Sequence, residues 1–230
     1  MAARDTIIPR TGFDERRRAA RTAVFASQRE RMLEAMVAAV AEKGYHATTV
    51  ADVAERARVS RRTFYEQFED KDACFLAAFD IGAEYLTGLI ASESEAATNQ
   101  DDWRGMVRGL LETYLRTLAA EPDFARMTHV DALTANPYSM QRRTGAHDAF
   151  VIAYRRFNEI ARAQDPTVPA LTDEALEVLV GGIAEYTRLA IVRGNVEHLA
   201  DHADALVAFA QSVIGGAAAT GNGKRPRRAA

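Results

Sequence analysis

The sequence predicts an all-α protein of about nine helices, three in a small N-terminal domain and the rest in a larger helical domain. Apolar residues recur at the three- and four-residue spacing of amphipathic helices along most of the chain. Only 6 of the 230 residues are proline, and no alternating strand pattern or hairpin-turn signal lies between the two ends of the chain. A hydrophobic content of 48% is sufficient for a buried core.

Capping signals predict where the helices begin and end. Ser27 with Glu30 and Thr49 with Asp52 have the spacing of capping boxes, so we expect the first two helices to open there. Gly44 ends the first helix, and a third, short helix follows further along. The later helices are expected at about 71–92, 102–120, 122–134, 137–163, 172–193 and 197–215.

Charge is distributed unevenly along the chain. The segment up to Cys74 has 14 Lys and Arg against 12 Asp and Glu, whereas residues 75–223 have 11 against 20. The last seven residues, KRPRRAA, add four positive charges, and the whole chain has a net charge of −3. A basic front and an acidic body indicate that nucleic acid is contacted at one end only.

Composition also limits the location of the protein. One cysteine, Cys74, excludes an intramolecular disulfide and a cysteine-rich zinc site. No apolar run is long enough to span a bilayer, and the N-terminus lacks the apolar core of a signal peptide. We therefore expect a soluble, cytoplasmic protein that does not contact a membrane.

Four segments are expected from these patterns. Residues 1–26, with RRRAAR at 16–21, are predicted to form a basic, disordered arm, and residues 216–230 a disordered basic tail. Residues 27–72 are predicted to form a helix-turn-helix domain. Residues 73–215 are predicted to form a helical domain for effector binding and dimerisation.

The helix-turn-helix prediction depends on the stretch SRRTFYEQFEDKD, residues 60–72. Ser60 caps the third helix, and Phe64 and Phe68 are four residues apart, so both face the core. Arg61, Arg62, Thr63 and Tyr65 are then left facing outward, and the two arginines make this face positively charged. The second helix of such a motif enters the major groove of double-stranded DNA, led by its N-terminal residues.

The stretch GYHATTVADVAERARVSRRTFYEQFEDKDACF, residues 44–75, resembles the DNA-binding domain of the TetR-like (tetracycline-repressor-like) transcriptional regulators. The motif covers about residues 27 to 80. The resemblance implies base-reading positions at Arg61, Arg62 and Thr63, phosphate contacts at Tyr65 and Lys71, and helix-start contacts at Thr48, Thr49 and Ser60. Where the family usually has glycine in the turn, this chain has Arg58. A left-handed conformation there would cost about 1 kcal/mol.

The remaining helices carry no catalytic signature. There is no G-x-S-x-G elbow, phosphate loop or H-E-x-x-H motif, so we expect no enzyme activity and no cofactor. His198 and His202 have a spacing that suits a metal, but no partner ligand is evident, and we expect no metal site.

Bulky apolar residues on several helices are expected to enclose a ligand site as well as a core. The predicted ligand-binding residues are Trp103, Met106, Phe124, Met127, Tyr154, Phe157 and Tyr186. Few charged residues are available to this interior, which favours a small, mostly apolar effector. The resemblance implies that the effector changes the spacing of two DNA-binding domains and releases the DNA.

The last two helices, residues 172–215, are expected to form a homodimer interface. Gly181 and Gly182 lie in an apolar helix, where missing side chains would let another helix approach. The following helix offers Leu199, Leu206, Val207, Phe209 and Val213. The resemblance implies a four-helix bundle between two copies, and a two-fold dimer matches a palindromic operator.

Two other classes remain open at this stage. One is a helical-bundle small-molecule carrier or enzyme, in which the arginines are incidental. The other is a DNA-associated protein without sequence selectivity. A gel-shift titration with competitor DNA at several salt concentrations separates the three classes.

Overall fold

The computed structural model describes residues 10–96 and 102–216, with side chains for residues 26–89 and 102–216. Within these residues the chain forms nine α-helices and two 3₁₀ segments, which confirms the all-α fold class. The chain divides into two compact units, Met1–Ala78 and Phe79–Ala230.

The first unit is built from three helices and the start of a fourth. They are α1 (Arg10–Lys43), α2 (Val50–Arg56), α3 (Arg61–Gln67) and α4 (Lys71–Ala96), the last of which continues into the second unit. The core of this unit contains Met32, Met36, Val40, Tyr45, Val53, Phe64, Phe68 and Phe75. Phe64 and Phe68 are 0% and 4% exposed, and burial of each such side chain contributes roughly 1.5–3 kcal/mol.

The first helix begins earlier than the sequence predicts. It opens at Arg10, so the expected start at Ser27 is wrong, and residues 10–26 of the predicted arm are helical. The Ser27 hydroxyl accepts a hydrogen bond from Arg31 one turn later, at 3.0 Å. Arginine and alanine, which dominate the RRRAAR run, are strong helix formers, and this explains why the helix continues through it. Residues 1–9 and 217–230 lie outside the described residues.

The predicted starts of α2 and α3 agree with the cap geometry in the structure. Thr49 and Asp52 form a complete capping box at the start of α2, with Thr49 N donating to Asp52 Oδ2 at 2.7 Å. Asp52 also pairs with Lys43 at 2.6 Å, and this contact holds the pKa of the Asp52 carboxyl well below its usual range. The Ser60 hydroxyl accepts from Thr63 N at 3.0 Å and caps α3.

The second unit continues from α4 with five further α-helices. They are α5 (Trp103–Ala120), α6 (Pro122–His129), α7 (Pro137–Gln164), α8 (Asp173–Val192) and α9 (Ala203–Ile214). A 3₁₀ segment, Asp131–Leu133, follows α6, and another, Val196–His202, precedes α9. Among the described helices, none has the length and apolarity needed to cross a lipid bilayer.

The core of the second unit is formed by α5, α7, α8 and α9. The sequence pattern predicts a dimer interface at Leu199, Leu206 and Val207, but these side chains are 0%, 8% and 1% exposed in this core. That prediction is wrong, because these side chains close the unit's own interior. The Asn158 side chain binds two segments of this core, donating to the carbonyls of Pro169 at 3.1 Å and Ile214 at 2.8 Å.

Candidate functional site

The outer face of α3 is positively charged and exposed. Arg61 and Arg62 open the helix, and both are exposed; Arg62 pairs with Glu66 one turn later at 3.1 Å. The Arg62 side chain is 89% exposed, so this pair leaves it accessible. Tyr65 is 58% exposed and lies edge-on against the buried Phe64 ring, at 5.6 Å between centroids. Helix α3 therefore has one face in the core and an arginine- and tyrosine-bearing face toward solvent.

The turn between α2 and α3 has a left-handed residue. Arg58 has φ 55°, and it is the non-glycine residue with positive φ among those described. Val59 N donates to Ala54 O at 2.9 Å and Arg58 N to Glu55 O at 3.0 Å, the paired bonds that end a helix through a left-handed residue. The turn thus uses arginine in a conformation that favours glycine.

Thr48 and Lys71 have internal partners. Thr48 is 1% exposed, and its hydroxyl donates to the carbonyls of Ala39 at 3.2 Å and Gly44 at 2.9 Å. Its side chain is therefore not available for the expected DNA contact, because it holds the end of α1. The Lys71 ammonium is half-buried and donates to the carbonyls of Tyr45 at 2.9 Å and Thr48 at 3.1 Å. This lysine fixes the segment between α1 and α2.

The second unit contains a cavity of about 100 Å³ with mostly apolar walls, bounded by α4, α5, α6, α7 and α8. Its apolar walls include Phe79, Leu86, Leu110, Phe150, Val180 and Ile183. Phe124 of α6 also lines it and packs onto Gly82 of α4, where a Cβ would overlap the phenyl ring. The glycine therefore makes room for this wall residue.

A chain of hydrogen bonds lies in the cavity wall. Thr128 Oγ1 donates to Phe124 O at 2.9 Å, so its oxygen can accept from His129 Nδ1 at 2.9 Å. His129 Nε2 then accepts from the Tyr114 hydroxyl at 2.7 Å. Burial lowers the pKa of His129 to about 4 and raises the pKa of Tyr114 to about 12, so both side chains are neutral at pH 7.

Three further polar residues, Arg143, His147 and Tyr154, line the cavity from α7. Arg143 is half-buried and has no hydrogen bond or ion pair with any described residue. The hydroxyl of Tyr154 is buried and also lacks a partner within the described part of the chain. Burial raises the pKa of Tyr154, and the neighbouring Tyr114 contributes. The cavity therefore has an unpaired cation and an unbonded hydroxyl in its lining.

Two of the predicted ligand-binding residues, Phe124 and Tyr154, line the cavity. The others lie elsewhere. Trp103 is 3% exposed and packs against Gly215 at the end of α9, where a Cβ would be 2.9 Å from the indole. Met127 and Phe157 are buried core, and Met106 packs against that core. Tyr186 is 40% exposed, with its ring 5.7 Å from that of His202.

Five wall residues are not among the predicted ligand-binding residues: Tyr114, Thr128, His129, Arg143 and His147. A signal for the α7 residues was present in the sequence. Positions 143, 147, 150 and 154 are three or four residues apart and share one face of the helix. Arginine and histidine on the same helix face as Phe150 and Tyr154 indicate a polar site within an apolar interior.

The histidine pair considered for metal binding has other partners. His198 pairs with Asp201 at 3.2 Å, and His202 contacts Tyr186. Within the described residues no group of three or more His, Cys, Asp or Glu side chains is arranged to hold a metal ion.

Residues 32–78 match the sequence profile of the bacterial regulatory proteins of the tetR family. Solved structures are similar over most of the chain. The fatty acid degradation regulator FadR from Bacillus halodurans has a TM-score of 0.72 and 19% identity, covering 83% of this chain and 96% of that one. FadR from Bacillus subtilis, in complex with stearoyl-CoA, has a TM-score of 0.67 and 16% identity, covering 81% and 98%.

A TetR family regulator from Marinobacter aquaeolei has a TM-score of 0.63 and 21% identity, covering 82% of this chain and 95% of its own. No curated protein sequence matches the chain. The class follows from these findings: residues 32–78 form a tetR-family DNA-binding domain, and the chain has the fold of TetR-type transcriptional regulators. The resemblance drawn from the sequence motif is confirmed.

Proposed function

We propose that this protein is a ligand-responsive transcriptional repressor that binds a palindromic operator as a homodimer and is released by a small, mostly apolar effector. The observation that carries the proposal is the outer face of α3, with Arg61, Arg62 and Tyr65 exposed on a helix whose Phe64 is fully buried. Rigid attachment to a core and free side chains at the N-terminal turn are what base reading in a major groove requires.

The proposed DNA contacts divide by role. Arg61, Arg62 and Thr63 would read base edges, while Tyr65, Thr49 and Ser60 would contact the backbone. Arg58, exposed in the turn, is available to a phosphate. Lys71 would act by fixing the segment that precedes α2, since its ammonium is bonded to two carbonyls there. Thr48 is left out of the interface because it is buried.

The proposed dimer surface lies on α8 and α9. Val178, Gly182 and Tyr186 follow each other at four-residue spacing and are all exposed, with Val178 at 73%. Phe209 of α9 is 46% exposed. A highly exposed valine and a glycine on one helical face favour close packing of a second helix, as in a two-fold interface.

The proposed effector site is the cavity of the second unit. Its walls are mostly apolar, as is usual for small-molecule sites. A ligand can change DNA affinity only if it binds one conformation of the dimer better than another. The B. subtilis regulator of similar fold was crystallised with stearoyl-CoA, which supports a ligand with a long apolar part.

The test is a fluorescence anisotropy titration of the full chain with operator candidates selected from a random DNA library. We expect Arg62→Ala to lose roughly 1–3 kcal/mol at the selected site and to relax its sequence preference. Tyr65→Phe should weaken selected and random DNA about equally, since a phosphate contact carries no sequence information. Arg156→Ala, an exposed arginine on α7, is the matched control.

The outcomes separate the three classes of protein. A selected sequence, bound with a slope in log salt concentration and lost in Arg62→Ala, supports the repressor. Absence of DNA binding favours a carrier or an enzyme. Binding without any selected sequence and with a steep salt slope favours a non-selective DNA-associated protein.

A further inference from the structure

The cavity has a charge that its walls do not balance. None of its lining residues is acidic, whereas Arg143 contributes a guanidinium. Arg143 has no hydrogen bond or ion pair with any residue that the structure describes. Glu185 has its pKa lowered by its bond to Arg188, with a further contribution from the charge of Arg143. That carboxylate is already held by Arg188 at 2.6 Å.

The neighbouring polar groups do not satisfy Arg143 either. His129 and Tyr114 are bonded to each other and are neutral, and the positive charge of Arg143 contributes to the pKa of each. A half-buried, unpaired arginine beside apolar walls loses hydration without gaining a partner. Such a residue is costly to the free protein and is suited to a ligand that carries an anion.

Tyr154 supplies an independent observation. It is 1% exposed, it lines the cavity, and its hydroxyl has no hydrogen-bond partner among the described residues. Buried hydroxyls in folded proteins are normally bonded, so an unbonded one in a cavity wall indicates a partner that arrives with a ligand.

We propose that the effector is an amphipathic anion: an apolar chain or ring in the aromatic and aliphatic part of the cavity, with an anionic oxygen group paired with Arg143. The Tyr154 hydroxyl donates a hydrogen bond to an oxygen of the same molecule. This inference rests on the proposed function, since it names the chemistry of the ligand for the same cavity. It replaces the expectation that a charged effector would find no partner in this interior.

Carboxylates and phosphate esters share the chemistry that a guanidinium recognises, and the experiment distinguishes them. Isothermal titration calorimetry of the full-length protein would use four probes with the same alkyl chain, each below its critical micelle concentration. They are decanoate, decyl phosphate, decanol and decyltrimethylammonium. We expect at least one of the two anions to bind roughly tenfold or more tightly than decanol, because a charge-assisted hydrogen bond is stronger than a neutral one. The cation should not bind.

Two variants and one control locate the contacts. Arg143→Met keeps the length of the side chain and removes its charge. It should weaken binding of the anion roughly 10- to 100-fold while changing the affinity for decanol little. Tyr154→Phe removes only the unbonded hydroxyl, so it should weaken binding of the anion without lowering the melting temperature of the free protein. Arg156→Met, on the exposed side of α7, is the control and should bind the anion as the wild type does.

The proposal is overturned if decanol binds as tightly as both anions, if no probe binds, or if Arg143→Met binds the anion with unchanged affinity. A release assay with operator DNA is run in parallel on the wild type. Release by decanol alone would overturn the anionic effector and leave the ligand-gated repressor standing. Tight binding of an anion that never changes DNA affinity would support the site chemistry and contradict the proposed function.

Discussion

At the scale of single residues, Arg58 has an unfavourable backbone conformation in the turn between α2 and α3. Its φ of 55° lies in the left-handed region, where a side chain is unfavourable. The residue is exposed and lies in the turn between the two helices of the motif. A charged side chain there can pair with a phosphate, whereas glycine has no side chain to do so.

Arg58→Gly should raise the free energy of unfolding by about 1 kcal/mol, because glycine adopts the left-handed conformation without strain. Urea unfolding measures this, and Arg193→Gly is the matched control. Arg193 also ends a helix and is exposed, but its φ is −82°, so glycine should bring no gain there. Equal effects in the two variants would contradict the strain at Arg58. A lower salt slope of DNA binding in Arg58→Gly would identify a phosphate contact.

His129 predicts a pH dependence of stability. Its pKa falls from an ordinary 6.5 to about 4 through burial, so the unfolded chain takes up the proton first as the pH decreases. The contribution of the neutral His129 ring to the free energy of unfolding is complete above about pH 6.5. As the pH falls toward 4, roughly 3 kcal/mol of it is lost progressively. Tyr114 bonds to the ring and stays neutral across this range because its pKa is raised, and the nearby charge of Arg143 also lowers the pKa of His129.

The measurement is the melting temperature of the wild type and of His129→Gln between pH 4 and pH 7. The variant cannot take up the proton, so its stability should decrease less over this window. The carboxylates, which titrate in both proteins, cancel in the comparison. Parallel curves for the two proteins would show that His129 does not control the loss.

At the scale of helices, α4 and α6 meet at a position where only glycine fits. A Cβ at Gly82 would overlap the ring of Phe124, which lines the cavity. The contact therefore joins a wall of the proposed effector site to the helix whose first residues belong to the DNA-binding unit.

Gly82→Ala should destabilise the protein by roughly 1–3 kcal/mol relative to Gly88→Ala, because the added methyl group forces Phe124 out of place. Gly88 is on the same helix, exposed, with open space around it, so the gain in helix propensity is common to both variants. Chemical denaturation gives the difference. Equal stability of the two alanine variants would show that Phe124 moves without cost.

At the scale of the whole molecule, the proposed repressor requires two copies of the chain. Residues 172–215 provide both core and surface. Leu176 and Leu179 of α8 are 0% and 1% exposed, whereas Val178 and Gly182 face solvent. The outer face of α8 is therefore free to pack against a second copy without loss of the unit's own core.

Gly182→Leu should weaken dimerisation by an order of magnitude or more if a second helix approaches there, since overpacking costs roughly 1–3 kcal/mol. Apart from its chain neighbours and the backbone of its own helix, no atom of the described residues lies within 4 Å of a Cβ at Gly182, so the monomer accommodates the side chain. Sedimentation equilibrium at several concentrations measures the change. Gly88→Leu, equally open within the chain, is the control, and an undisturbed dimer in Gly182→Leu would place the interface elsewhere.

Most of the local structure is predictable from the sequence. The start of α2 at Thr49, the cap of α3 at Ser60 and the positive φ of Gly44 and Gly194 at helix ends all follow from residues close together in the chain. The same holds for the exposed and buried faces of α3. The predicted start of α1 is wrong because a serine three residues before a glutamate, here Ser27 and Glu30, has the spacing of a capping box even inside a helix.

The sequence by itself determined the all-helical class, the DNA-binding motif and the resemblance to TetR-like regulators, because each depends on contacts within a few turns of helix. Only the tertiary structure decided which aromatic residues line the cavity, that Thr48 is buried and that Arg143 faces an apolar space without a carboxylate. Periodicity shows that a residue points inward, but it does not show what it meets there. The neighbours of Arg143 and Tyr154 come from other helices, whose packing is fixed by the whole core.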